Sequence, residues 1–121
     1  PAMIKATRIQ SKARAIGFDW EVREQVWDKI DEELGELKAE IEKNNETGIG
    51  EEFGDFLFSV INAARLYNVD PETALEKTNR KFIKRFNYLE EKTLKQGRNL
   101  KDMSLAEMDE IWNEAKNIPE K

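Results

Sequence analysis

The chain of 121 residues contains neither cysteine nor histidine. Their absence excludes disulfides, zinc sites built from thiolate or imidazole ligands, cysteine nucleophiles and histidine bases. Any catalysis must therefore use carboxylates, lysine, arginine, tyrosine, hydroxyl groups or a bound metal. No apolar run approaches the length of a transmembrane helix, and no signal peptide is recognisable. We therefore expect a cytoplasmic protein.

Proline and glycine are scarce, with three and six residues respectively, while 37% of the residues are charged. This composition is typical of a folded, helix-rich domain and not of a disordered chain. A chain of 121 residues is long enough to form one domain with its own hydrophobic core. The net charge of −5 provides no general attraction to nucleic acid or to an anionic membrane. We expect neither as a partner.

Apolar residues that recur every three or four positions predict a succession of amphipathic helices. The first is a short entry helix at residues 1–17. Asp19 is the expected N-cap of the second helix, which covers residues 21–43. A turn cluster at 44–48 separates it from a third helix at 51–67. Because this connection is short, the second and third helices are expected to be antiparallel neighbours.

Local signals also delimit the last two predicted helices. Asp70 as N-cap and Pro71 at the first helical position start the fourth helix, which Gly97 closes. Ser104 and Glu107 form a capping box that opens the last helix.

The fold class that follows is all-α, a helical bundle that forms one domain over residues 1–121. Residues 1–17 are its entry helix, and residues 21–116 are the bundle that carries the chemistry. The third helix is apolar around most of its circumference, which is typical of a helix in a core or an interface. Its apolar surface, including Phe58, exceeds what the other helices of a small chain readily cover. We therefore predict a homodimer.

Two of the predicted helices each carry a pair of acids three residues apart: Glu33 with Glu36, and Glu52 with Asp55. Side chains at this spacing lie on one face of a helix. Carboxylates that are brought together repel one another, so they either take up protons or bind a cation. Oxygen ligands without nitrogen or sulfur suit Mg²⁺ or Mn²⁺. Burial of the third helix would increase the need for such a cation.

A basic pair, Lys81 and Arg85, lies one turn apart on the fourth helix. A hard metal together with a lysine and an arginine is suited to phosphoryl chemistry, in which catalysis is mainly positioning and charge neutralisation. Each signal is weak by itself, because 25 of the 121 residues are acidic and charged runs are usually solvated helix faces. A structural salt-bridge network between the acids and this basic pair is the alternative.

Longer stretches resemble the MazG family of nucleoside triphosphate pyrophosphohydrolases, and the resemblance covers nearly the whole chain in the same order. The pattern Glu-Glu-x-x-Glu at 32–36, followed by Glu-x-x-Asp at 52–55, is similar to the signature of that family. The opening PAMIKA is similar to the junction before the second MazG domain of two-domain members, which suggests the C-terminal half of a longer protein. The other matching stretches are GFDW at 17–20, EEFGDFLFSVINAARLYNVDPETAL at 51–75, TNRKFIKRF at 78–86 and MDEIWNEAK at 108–116.

The resemblance implies an all-α fold, a dimer, and Mg²⁺-dependent hydrolysis of a nucleoside triphosphate between its α- and β-phosphates, with Mn²⁺ as the other possible ion. Glu32 matches the first acid of the motif, whose role is either to support the metal ligands or to orient water. The remaining assignments are metal ligation by Glu33, Glu36, Glu52 and Asp55, phosphate contacts by Lys81 and Arg85, and nucleotide contacts by Trp112 and Lys116.

Within this family the expected activity is a broad-specificity one, which clears the nucleotide pool of unwanted triphosphates. Two other functions remain open. One is a more selective pyrophosphatase for deoxyuridine or deoxycytidine triphosphate, or for a phosphoribosyl nucleotide. The other is a non-catalytic helical module whose acids serve solubility and the choice of partner.

Overall fold

The computed structural model describes residues 1–118 of the chain. Over that range the backbone forms five α-helices and two short 3₁₀ turns, and the described residues contain no strand. The predicted all-α fold class is therefore confirmed. No helix in this range is long and apolar enough to cross a membrane. The helices are α1 (Ala2–Ala15), α2 (Val26–Glu42), α3 (Glu46–Leu66), α4 (Pro71–Lys95) and α5 (Leu105–Lys116), with 3₁₀ turns at Arg23–Gln25 and Leu100–Asp102.

The chain divides into two compact units, Pro1–Ala74 and Leu75–Lys121. In the first unit, α3 packs along α2 and also against α1. The fully or almost fully buried apolar side chains of this unit are Val26, Leu37, Ile61 and Ala63. The packing of α2 against α3 is the contact that positions the acidic residues discussed below.

α3 begins five residues earlier than predicted, at Glu46 instead of Glu51. The chain reverses at Asn44, whose φ of 56° lies in the left-handed region, and Asn45 is the N-cap. Asparagine tolerates this conformation better than most residues do. Gly48, the last residue of the predicted turn cluster, favours a loop, because glycine costs about 1 kcal/mol in a helix interior. The packing of α3 against α2 outweighs that preference.

The predicted role of Asp19 as an N-cap is wrong. The helical segment begins at the 3₁₀ turn Arg23–Gln25 and continues as α2. Asp19 instead accepts hydrogen bonds from Arg65 on α3, with its Oδ1 2.7 Å from Nη2 and its Oδ2 3.3 Å from Nη1. Arg65 also donates to Asn62. A buried guanidinium is a stronger partner for this carboxylate than the backbone amides of a helix end.

α4 begins as predicted. The side chain of Asp70 accepts hydrogen bonds from the backbone N–H of Glu72 and the hydroxyl of Thr73, at 3.3 and 2.7 Å. Pro71 occupies the first helical position. Gly97 follows the end of the helix with a φ of 68°, in agreement with its predicted role.

The second unit has a small core formed by Leu89 on α4, Met103 on the connection and Ile111 on α5. Trp112 packs against this core, and its ring centroid lies 5.0 Å from that of Phe82. The predicted capping box is present, since Ser104 and Glu107 bond each other's backbone N–H groups. The described part of the unit is thus an α-helical hairpin with a capped second helix.

The environment of Asp19 leads to a stability prediction. The hydrogen bond from Arg65 holds the pKa of Asp19 below its usual value. A lowered pKa in the folded state contributes stability above the unfolded-state pKa, and this contribution is lost as the pH falls through the folded-state pKa. Asp19→Asn should therefore lower the free energy of unfolding by about 2 kcal/mol at pH 7, and by progressively less below pH 3.8. Urea denaturation at several pH values measures the difference.

The matched control is Asp31→Asn, which removes an exposed carboxylate of α2. It should change the free energy of unfolding by less than about 0.5 kcal/mol at every pH. Equal effects of the two substitutions at pH 7 would contradict the role given to the Asp19–Arg65 pair.

Candidate metal and nucleotide site

Three acids from two helices converge in the first unit. Glu33 and Glu36 lie on α2, and Glu52 lies on α3. One carboxylate oxygen from each lies within 4.8 Å of those of the other two. The three- and four-residue periodicity of a helix places the first two on one face, and the packing of α3 brings the third against them. We call these three residues the acid cluster.

Asp55 and Glu32 lie outside the acid cluster. Asp55, one turn after Glu52 on α3, lines a cavity that Glu33 also borders. Glu32 is exposed, and its carboxylate lies 3.7 Å from Nζ of Lys29. The structure therefore brings together three of the four acids that the family resemblance assigns as metal ligands.

The acid cluster is poorly neutralised. The side chain of Glu33 is 8% exposed, and its Oε1 lies 2.9 Å from Nζ of Lys29. Oε2 of Glu33 and Oε2 of Glu52 are buried and accept no hydrogen bond from the described residues. Buried oxygens that carry negative charge without a donor are costly, so a cation is expected to complete the site.

The ionisation of Glu52 reflects this crowding. Burial raises the pKa of its carboxyl above the usual value, and the negative charges of Glu36, Asp55 and Glu33 raise it further. The hydrogen bond to Glu33 in turn raises the pKa of Lys29. The site thus favours positive charge, whether as a proton, an ammonium group or a metal ion.

The donor set fits a hard divalent cation. It consists of carboxylate oxygens alone, which Mg²⁺ and Mn²⁺ prefer to nitrogen and sulfur. Two of these oxygens are buried without a partner within residues 1–118, and the ammonium group of Lys29 offsets only part of the negative charge. The acid cluster, with Asp55 nearby on α3, is therefore a chemically suitable site for such an ion.

A cavity of about 550 Å³ lies beside the acid cluster within the first unit. Its size falls within the range of small-molecule binding sites. The wall combines aromatic and aliphatic side chains with polar ones. The residues that the later argument uses are Gln10, Phe18, Trp20, Glu33, Asp55 and Phe58.

The residues that the family resemblance assigns to the substrate lie in the second unit. Lys81 and Arg85 on α4 and Lys116 on α5 line a cavity of about 290 Å³, together with Lys84. Four cations in one wall make this cavity attractive to phosphate groups. Trp112 instead packs its ring against Phe82 and the core, so only its exposed part is available to a ligand.

Two residues near the acid cluster and its cavity were not predicted from the sequence. Lys29 pairs with Glu33 at a spacing of four residues, a spacing that the sequence contains and that indicates a helical ion pair. Gln10 borders the cavity from α1. No local pattern identifies it, because its position depends on the packing of α1 against α3.

Comparison with known proteins decides the family. A model described as the MazG nucleotide pyrophosphohydrolase domain matches residues 22–89, more than half of the chain. The chain belongs to the MazG family. The matched range includes the acid cluster, Asp55, Lys81 and Arg85, whereas Trp112 and Lys116 lie beyond it. The family assignment thus covers the part of this MazG chain in which the acids converge.

Individual relatives extend the similarity over nearly the whole MazG chain. The nucleoside triphosphate pyrophosphohydrolase/pyrophosphatase MazG of Thermotoga maritima is 47% identical over 116 residues, which is 96% of this chain and 44% of that protein. The nucleoside triphosphate pyrophosphohydrolase of Escherichia coli K12 is 35% identical over 118 residues, covering 96% and 45%. YabN of Bacillus subtilis is 51% identical over 75 residues, covering 62% and 15%. The chain thus spans less than half the length of these relatives.

Charge repulsion within the acid cluster leads to a prediction about Glu52. Because its pKa is raised in the folded state, the unfolded chain loses this proton first as the pH rises, and stability falls through that interval. Glu52→Gln cannot ionise, so the metal-free variant should have a higher melting temperature than the wild type at pH 7. This advantage should disappear below pH 4.5, where the carboxyl is protonated in both states.

Thermal denaturation with and without Mg²⁺ measures both parts of this prediction. Mg²⁺ should raise the melting temperature of the wild type, since an ion that binds only the native state stabilises it, but not that of Glu52→Gln. A melting temperature of the metal-free variant below that of the wild type at pH 7 would show that Glu52 is not under repulsion.

Proposed function

We propose that this MazG chain is a Mg²⁺-dependent nucleoside triphosphate pyrophosphohydrolase. It would hydrolyse ribo- and deoxyribonucleoside triphosphates between the α- and β-phosphates and release a monophosphate and pyrophosphate. The observation that carries the proposal is the convergence of Glu33, Glu36 and Glu52, in which two buried oxygens lack a partner among the described residues. The names of the relatives from Thermotoga maritima and Escherichia coli support the choice of reaction.

The acid cluster would hold the ion, with Asp55 as a fourth ligand as the family resemblance implies. A bound divalent cation neutralises phosphate charge and lowers the pKa of water that it coordinates. Lys29 would release its bond with Glu33 or share that carboxylate. Glu32, which lies next to the cluster and outside it, is the carboxylate that we propose to orient the attacking water or accept its proton.

The basic residues of the second unit would bind the triphosphate. Arg85 offers a planar, two-point contact to phosphate oxygens, whereas Lys81 and Lys116 supply point charges. These contacts would neutralise phosphate charge, which is the role that the family resemblance implies for Lys81 and Arg85. The exposed part of Trp112 would border the nucleotide. Contacts to phosphate and to an aromatic surface do not depend on the identity of the base, which is consistent with broad substrate use.

The proposal predicts that the protein releases pyrophosphate from a panel of nucleoside triphosphates when Mg²⁺ is present. Glu52→Gln should reduce kcat/KM by at least about a hundredfold, because it removes charge that holds the ion beside the reacting phosphates. Coupled detection of pyrophosphate measures this rate for each nucleotide. The control is Glu51→Gln, a neighbouring exposed glutamate of α3 outside the acid cluster.

Equal values of kcat/KM for the Glu51 and Glu52 variants would show that the acid cluster takes no part in the reaction. Turnover of deoxyuridine or deoxycytidine triphosphate alone would show that the enzyme is selective and not broad in specificity. Absence of turnover for every nucleotide, together with no thermal shift from Mg²⁺ and a non-hydrolysable triphosphate, would favour a non-catalytic helical module.

We also propose that the protein is a homodimer that associates through α3. Glu52 of this helix lies in the acid cluster and Asp55 lines the cavity, while Phe53 and Leu57 remain 47% and 55% exposed. Val60 is also exposed and follows Phe53 and Leu57 at helical spacing, whereas Phe58, predicted to belong to this surface, lines the cavity. Exposed apolar side chains on one side of a helix are typical of a protein interface. A second copy of the chain would cover them.

The dimer can be tested by sedimentation equilibrium at micromolar concentration. Leu57→Glu should shift the protein to a monomer, because burial of a charge without a partner opposes association. Leu105→Glu is the control, since Leu105 is an exposed leucine at the start of α5 in the second unit. A monomeric wild type would contradict the proposal.

A further inference from the structure

Gln10 of α1 is a buried polar residue with one unsatisfied atom. It is only 5% exposed. Its Nε2 donates a hydrogen bond to the backbone carbonyl of Phe58 on α3, at 3.0 Å. Its Oε1 is buried and accepts no hydrogen bond from the described residues. Buried acceptors are usually satisfied, so an exception in a cavity wall is available to a donor from water or from a bound ligand.

The hydrogen bond to Phe58 determines which way the amide is oriented. If the amide were flipped, Oε1 would face the carbonyl oxygen, and two acceptors would repel each other. One N–H of the Gln10 amide is therefore committed to α3. The buried atom of Gln10 that lacks a partner among the described residues is a neutral acceptor, Oε1.

The cavity that Gln10 lines also contains two acids of the proposed active site, Glu33 and Asp55. Two aromatic residues, Phe18 and Trp20, contribute to the same wall. A ligand whose phosphates reach the acids can therefore extend into a partly aromatic space of about 550 Å³. Flat aromatic ligands stack on such side chains.

Three other polar side chains of this wall have partners among the described residues. Lys29 is paired with Glu33 at 2.9 Å. Ser59 donates to the carbonyl of Phe56, and Arg65 is held by Asp19 and Asn62. Among the wall residues, Gln10 is the neutral one with a buried side-chain atom that lacks a hydrogen bond within the described part of the chain. We therefore expect Gln10 to favour ligands that present a hydrogen-bond donor at this position.

We propose that Gln10 contacts the nucleobase of the substrate and accepts a hydrogen bond through Oε1 from an N–H group on the base edge. This inference rests on the proposed function. Each common base carries at least one such donor, as an amino group or as a ring N–H. The contact therefore admits the common bases and selects against bases in which that donor is missing. Substrate specificity in this protein would then depend on an N–H donor that all the common bases carry.

The test compares nucleotides that differ in a single donor. The pairs are adenosine triphosphate with purine riboside triphosphate, which lacks the amino group, and uridine triphosphate with its 3-methyl derivative, which lacks the ring N–H. The wild type should discriminate against the donor-free member of at least one pair by at least about tenfold in kcat/KM. Gln10→Met, which keeps the size and removes the acceptor, should reduce that ratio to near unity. Gln96→Met, on an exposed glutamine, should leave it unchanged.

Calorimetric titration with α,β-methylene analogues of the same nucleotides provides a second readout that does not require turnover. Wild-type ratios near unity for both pairs, in rates and in affinities, would overturn the role of Gln10. So would a ratio that survives in Gln10→Met. A merely structural role would lower the rates for both members of a pair equally and leave the ratio intact. Failure of the proposed function is distinct, since it would abolish pyrophosphate release from all four nucleotides while the binding ratios still test Gln10.

Discussion

Repulsion among carboxylates that are held between two packed helices is the constraint on which the candidate site depends. Burial of Leu37 and Ile61 in the first unit provides favourable free energy for packing α2 and α3. The same packing forces Glu33, Glu36 and Glu52 together, which is unfavourable without a cation. Stability gained from the apolar residues thus maintains an arrangement that the acids alone would disrupt. This is how a fold can hold a strained, cation-seeking site.

α3 buries Ile61 and Ala63 but leaves other apolar side chains in water. Its Glu52 lies in the acid cluster and Asp55 in the cavity wall, while Phe53 and Leu57 are about half exposed in one chain. In a monomer this arrangement places apolar groups in water and charged groups in a partly buried site. Both arrangements are unfavourable in an isolated, metal-free chain. They would become favourable if a cation bound to the acid cluster and a second chain covered the apolar surface. The metal site and the interface are then two sides of the same helix.

Local signals predicted those helix ends in which the capping residues have no stronger partner nearby. Asp70 with Pro71, and Ser104 with Glu107, form their caps with neighbouring residues and behave as predicted. Asp19 does not, because Arg65, 46 positions away in the sequence, binds its carboxylate. A capping preference of about 1 kcal/mol is easily outweighed by a charged partner of this kind. Residue type therefore predicts a cap only in the absence of such tertiary partners.

The sequence alone determined the all-α class, the MazG family and the helix faces on which the acids lie, because the spacing of side chains on one helix follows from the geometry of its backbone. Only the tertiary structure decided that Glu33, Glu36 and Glu52 meet while Asp55 lines the cavity, and that Lys29 and Gln10 belong to the same region. Distances between helices depend on how their side chains interdigitate, and many residues far apart in the chain contribute to that packing.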